Sequence, residues 1–326
     1  MTGNRPTPQE GPVSDIPVGT DVHAFRPVSW SKRRPALAAF VYVLCYLAVA
    51  VLGGVAVTLV RPPVAAAAVV TIIGAAVLLI SLLLVLSICR LSMDPGRELT
   101  WVMGMSVLFS LVRPSVYTFL GKLLGSPAAG AHITRDLSAV VSPGAALLLG
   151  NAVLIVWASF LGKLVSRVIR EGKLILPVAV VASIADIITV FWGIVAHVSK
   201  TSPEVVETFS AAAPVVPPPN VSAPILSAVG IGDFLFYAMF LAVALRYAMR
   251  PTATMWATFA VMLVAPIAFY YYPSATGMPG LPFIGAAALW ANWRYLRFTG
   301  EEKRALALAG MLVLLAAFVL WMALHR

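Results

Sequence analysis

The chain has 326 residues, of which 60% are hydrophobic and only 11% charged, with a formal net charge of +10 and a mean hydropathy of +0.93. An ordinary soluble domain carries about 25% charged residues, so this composition excludes a water-soluble globular protein, and its apolar content excludes a disordered one. The solvent must be largely lipid, which admits a helix bundle or a closed barrel; long apolar runs such as 64–88 lack the alternation of barrel strands and predict an all-α, polytopic membrane helix bundle.

Residues 1–35 are polar and Pro-rich and end in Lys32-Arg33-Arg34, the pattern of a disordered cytoplasmic tail. The first apolar run begins too late and is too long for a signal peptide. Nine candidate spans follow, at 36–60, 64–88, 99–119, 145–165, 174–198, 224–248, 252–272, 281–299 and 305–325, each near the ~20 residues that cross ~30 Å of hydrocarbon. Arg113-Pro114 interrupts the third and Arg294 falls in the eighth. The expected organisation is a tail over 1–35, N-terminal membrane helices over 36–173, a second group over 174–299 and a further C-terminal helix over 300–326.

Lys and Arg gather in alternate segments: 1–35, 89–98, 163–173, 246–250 and 294–304. The opposite segments hold only Arg61, Lys122, Arg135, Lys200 and Arg326, with Arg113 ambiguous. The positive-inside rule then predicts a multi-pass integral protein with a cytoplasmic N-terminus and an external C-terminus, in a prokaryotic cytoplasmic membrane. It also accounts for the basic excess without nucleic acid. The loop 199–223, with Pro214, Pro217, Pro218 and Pro219, is expected to be extended. Cys45 and Cys89 read as small packing residues, and His23, His132, His197 and His325 lack ligand spacing, so neither a metal nor a cofactor is expected. Arg294 and Arg297, with Trp290, Trp293 and Tyr295, read as an inner interface belt, and Tyr270-Tyr271-Tyr272 as an outer one.

The acids are the most informative group. Of thirteen, only Asp186 and Asp233 lie deep inside apolar spans, where a charged group costs several kcal/mol on insertion and usually serves a function. Each is about 20 Å from the inner end of its span at 1.5 Å per residue. The two spans are consecutive and antiparallel, so the carboxyls can meet at one level of the bilayer. No Lys or Arg in either span matches that depth. Two carboxyls in contact titrate as a pair, as aspartyl proteolysis requires: one takes a proton from water while the other donates to the scissile carbonyl. Spacing alone leaves open a proton or cation relay, and equally two separately satisfied buried acids.

Two local patterns add to this. Asp233 closes Gly230-Ile231-Gly232-Asp233, whose glycines allow close backbone approach and a loosened helix start. Pro279-Gly280-Leu281-Pro282 opens the eighth span, and its prolines remove backbone donors and disfavour regular helix. Its free backbone could pair with an extended peptide; a plain turn ahead of a helix is the simpler interpretation.

The order of an Asp span, a GxGD span, a further span and a P-x-L-P segment resembles the presenilin and signal peptide peptidase family of intramembrane aspartyl proteases. The resemblance covers 174–299 and implies a presenilin-like fold. It implies Asp186 and Asp233 as the catalytic pair, and Gly230, Gly232, Pro279, Gly280, Leu281 and Pro282 as substrate-binding positions. The implied substrates are transmembrane proteins or signal-peptide remnants in the lipid bilayer. Four features depart from the family pattern: Ala185 stands where a Tyr usually precedes the first Asp, Gly280 replaces the alanine of the PAL-type motif, four spans rather than five precede Asp186, and one extra span follows the PAL-type segment. The alternatives are a proton- or cation-coupled transporter using the two acids, and a non-catalytic relative that binds membrane helices. Prepilin peptidase also uses GxGD but usually has Lys shortly after it, where Leu235 stands here.

Overall fold

A computed structural model describes residues 33–59, 63–113, 143–192, 210–212, 228–270 and 278–324. The fold is all-α. Each of the nine apolar stretches contains a helix: α1 (Arg33–Leu59), α2 (Pro63–Cys89), α3 (Pro95–Val112), α4 (Pro143–Val165), α5 (Ile175–Trp192), α6 (Ile231–Arg246), α7 (Pro251–Tyr270), α8 (Leu281–Asn292) and α9 (Gly300–Leu324). Among the described residues four stretches of helix are long and apolar enough to cross a membrane: Pro35–Gly53, Ala68–Cys89, Leu147–Val168 and Gly172–Val190. The tail 1–32, most of 199–223, and Tyr271 and Tyr272 lie outside the described residues.

Three helices depart from the expected boundaries for local reasons. The third stretch ends as helix at Val112, where Arg113 turns extended (φ −112°, ψ 91°), because a residue before proline is disfavoured in the helical region. The sixth starts at Ile231 rather than 224, because Ala228–Gly230 form a short strand, β2, antiparallel to β1 (Ser210–Ala212) with Ala211 opposite Val229. The eighth ends at Asn292 instead of 299. The Asn292 amide donates to Thr254 Oγ1 at 2.7 Å and to the Ala288 carbonyl at 2.8 Å, while its carbonyl oxygen accepts from the Arg250 amide at 2.9 Å.

The bundle is apolar outside and holds its polar groups inside, the reverse of a soluble protein. Leu37, Phe40, Leu52, Met103, Val107, Leu308 and Met311 are all exposed, whereas Ser81, Asn151, Ser159, Thr254, Thr258 and Asn292 are buried. Helices in lipid gain nothing from hiding apolar surface, so close packing and interhelical hydrogen bonds hold them. α4 is the central post, packed on α1, α2, α3 and α6, while α8 lies between α5, α6 and α7. Where α4 crosses α6, a Cβ on Gly162 would sit 2.2 Å from the Leu235 carbonyl oxygen, so glycine is what permits the approach. Where α5 crosses α8, a Cβ on Gly285 would stand 3.3 Å from the Ala179 Cβ and 3.4 Å from Ser183 Oγ, so the approach is close there too.

Polar clasps fix one end of this frame. Glu98, fully buried, pairs with Lys163 at 3.1 Å and Arg167 at 2.7 Å, tying α3 to the end of α4. Arg246, at the end of α6, donates to the Ser166 carbonyl at 2.8 Å, and the Tyr247 hydroxyl donates to Ile169 at 3.0 Å. Cys89 is buried and reaches the Ala238 carbonyl at 3.5 Å, while Cys45 faces outward.

Candidate active site

Three helices bring their chemistry to one level. At 1.5 Å per residue Asp186 lies about 16 Å along α5 from Ile175, Leu281 about 16 Å along α8 from Asn292, and Asp233 about 20 Å along α6 from Arg246. On α5, Ala179, Ser183 and Asp186 share one face, since residues three and four apart are neighbours on a helix. α8 lies along that face in the opposite direction, with Gly285 against Ala179 and Ser183, and Leu281 beside Asp186.

Asp233 does not sit mid-helix, as the expected span 224–248 had it. It is in the first turn of α6, with Gly230 as the N-cap. Its Oδ2 accepts from the Gly230 amide at 3.1 Å, so the carboxylate reaches back to satisfy a backbone donor at its own helix start. The positive end of the helix dipole adds to the stabilisation of a carboxylate there. Gly230 is thus engaged through its backbone, whereas a side chain on Gly232 would meet open space. β2 leads directly into this turn.

Asp186 is held differently. Its Oδ2 accepts from the Leu281 amide at 3.0 Å. The adjoining residue, Gly280, lies directly on the other acid: a Cβ there would stand 2.4 Å from Asp233 Oδ1 and 2.7 Å from its Oδ2. Two consecutive residues of one segment therefore touch both carboxyls. With standard backbone dimensions, these contacts bound the nearest carboxyl oxygens to no more than about 9 Å apart. Among the described residues neither carboxyl forms an ion pair, and no group of three or more His, Cys, Asp or Glu side chains gathers.

The Pro279–Pro282 segment is less irregular than its prolines suggest. Leu281 and Pro282 form the first turn of α8, where proline is tolerated because the helix needs no amide donor there. Gly280 is the N-cap, its carbonyl accepting from the Phe283 and Ile284 amides at 3.1 Å. Pro279, Gly280 and Leu281 are buried, and Pro282 is half-buried. Ala185, beside Asp186, is exposed.

The described structure brings together Asp186, Asp233, Gly230, Gly280 and Leu281. The strand pair ahead of Asp233 had no signal in the sequence: Ser210-Ala211-Ala212 and Ala228-Val229-Gly230 lack the polar alternation of a half-buried strand. Chemically, the site is a pair of partly desolvated carboxyls, each anchored through one oxygen to a backbone amide, with a small residue between them. No protein-family model matches the chain, and no curated protein matches it.

Proposed function

We propose that the chain is an intramembrane aspartyl protease, a nine-span, presenilin-like bundle with its N-terminus in the cytoplasm, which hydrolyses peptide bonds within transmembrane segments. The observation that carries this reading is the shared contact of one backbone segment with both acids: Leu281 N–H on Asp186, Gly280 against Asp233.

In the proposed step one carboxylate removes a proton from water, and the water oxygen adds to the scissile carbonyl carbon. The second carboxyl, protonated, gives its proton to the carbonyl oxygen, yielding a neutral gem-diol. Collapse breaks the C–N bond as the second carboxylate takes back a proton from a gem-diol hydroxyl and the departing amine takes the proton held by the first carboxyl, which restores the starting pair. A helical substrate hides its carbonyl in intrahelical hydrogen bonds, so it must be drawn out into extended form. Among the described residues β2 pairs only with β1, so its other edge, leading straight to Asp233, offers backbone partners for such a segment, and no described residue lies within reach of a Cβ on Gly232.

The test is labelling of membranes with a photoactivatable transition-state-analogue inhibitor, alongside cleavage of a single-span substrate. Wild type should label specifically and cut. Asp186→Ala and Asp233→Ala should each abolish cleavage, and the double variant should be no worse than either, because the pair acts as one unit. Absence of labelling in folded wild type, with solute flux that depends on both acids, would establish a carrier instead.

A further inference from the structure

At the opposite end of α8 from the two acids is a cavity of about 420 Å³, lined by Arg250, Ala253, Trp290, Ala291, Trp293 and Arg294. From this cavity we infer a binding site for the phosphodiester headgroup of an anionic phospholipid, set between the start of α7 and the end of α8. This goes beyond the protease reading and does not rest on it; it needs only that the helices lie in a bilayer.

Three observations converge. The first is charge. Arg250 and Arg294 both line this cavity, and among the described residues neither guanidinium has an ion pair or a hydrogen-bond acceptor. Two unshared cations side by side repel, and an anion between them relieves this; guanidinium forks match phosphate oxygens in geometry. The start of α7 contributes in the same sense. Ala253 is in its first turn, where amides have no acceptor within the helix and the dipole end is positive.

The second is the apolar rim. Trp290 is 78% exposed and Trp293 67% exposed, values that only an amphipathic surroundings makes favourable for so large a ring. Indoles of this kind settle at the headgroup level, with the ring against glycerol and upper chain and the N–H toward the polar layer. A soluble phosphate would have no use for two exposed indoles.

The third is position. Arg250 and Asn292 are joined by a hydrogen bond of 2.9 Å, so the cavity lies where α7 begins and α8 ends. That is the end of the bundle where Arg246 grips Ser166 and where Lys163 and Arg167 meet Glu98. The rim of a cation-rich end is where an anionic leaflet attracts basic residues.

The experiment uses the full chain in nanodiscs of equal parts phosphatidylglycerol and phosphatidylcholine, released into native mass spectrometry. Wild type should retain phosphatidylglycerol at least about fivefold over phosphatidylcholine. Arg250→Gln/Arg294→Gln should lose that preference, while Arg250→Lys/Arg294→Lys should keep part of it, since charge remains without the planar fork. Unchanged retention in the Gln pair would overturn the assignment. So would displacement of the lipid from wild type by low-millimolar inorganic phosphate or glycerol phosphate, which would make this a soluble-anion site. A photoactivatable phosphatidylglycerol on wild type needs no variant: label on peptides spanning 250–256 or 290–296 supports the site, and label confined to other segments refutes it.

Discussion

Gly280 lies on the carboxyl of Asp233 so closely that a single added methyl would stand 2.4 Å from Oδ1. Asp233 has little freedom to yield. Its other oxygen is held by the Gly230 amide, and its side chain is short. Overpacking of this kind costs about 1–3 kcal/mol, and if it is taken up by rotating the carboxyl away from Asp186, the loss falls on catalysis. Gly280→Ala should therefore reduce cleavage by roughly ten- to a hundredfold, with a modest drop in thermal stability. The comparison is informative because alanine is the usual PAL-type residue in the family this segment resembles. Full activity in Gly280→Ala would mean the segment stands farther from Asp233 than described.

Gly162 supplies a second steric prediction, at a distance from the acids. A Cβ there would run into the carbonyl oxygen of Leu235, two residues beyond Asp233, and backbone cannot swing aside as a side-chain tip can. Gly162→Ala should push α6 off α4, destabilise the protein by about 1–3 kcal/mol or more, and lower cleavage with it. Gly104, on the exposed face of α3, is the matched control, since a Cβ there meets nothing. Gly104→Ala should be neutral or stabilise by up to about 1 kcal/mol through helix propensity. Thermal unfolding of both variants in one detergent makes the comparison.

These two glycines also mark how far the sequence could be read. The nine helical stretches were legible because a run of about twenty apolar residues is the strongest signal a chain carries. Asp186 and Asp233 stood out because an acid in such a run is rare. What the sequence could not convey was where backbones touch. Gly162 and Gly104 look alike as letters, yet one is jammed against α6 and the other is open. The start of α6 was misplaced because the residues before Ile231 are apolar, and hydropathy does not separate a short strand from a helix turn. The end of α8 at Asn292 depends on Thr254, a partner nearly forty positions away.

Glu302, just ahead of the apolar part of α9, carries a pH prediction. The Lys173 ammonium, followed by the Thr299 amide, holds its carboxyl below the usual carboxylate range. A carboxyl depressed in the fold contributes stability above its unfolded value, about 4.3, and loses it as pH falls through the folded value. Wild type should thus unfold at a higher temperature than Glu302→Gln at pH 6. The gap should close as the pH is lowered below about 4, and it should narrow in high salt because both groups are partly solvated. A gap that persists unchanged at pH 3 would remove Glu302 as its source.

Asp233 has two separable tasks, and one pair of variants divides them. Its Oδ2 accepts from the Gly230 amide and caps α6, which by itself would account for an acid at this position. Its Oδ1 lies against Gly280, beside the Leu281 amide that holds Asp186, which capping does not need. Asn can still accept the Gly230 proton through its amide oxygen, but it cannot hold or release a catalytic proton. Ala can do neither. If Asp233 only caps, Asp233→Asn should keep both stability and activity, while Asp233→Ala should lose about 1 kcal/mol of stability. For the protease reading the expectation differs in activity: Asp233→Asn should melt close to wild type yet cut no substrate, and Asp233→Ala should be both inactive and less stable. Thermal unfolding and single-span substrate cleavage, measured on the same preparations, separate the two tasks. An active Asp233→Asn would leave α6 with its cap and the proposed dyad without its second acid.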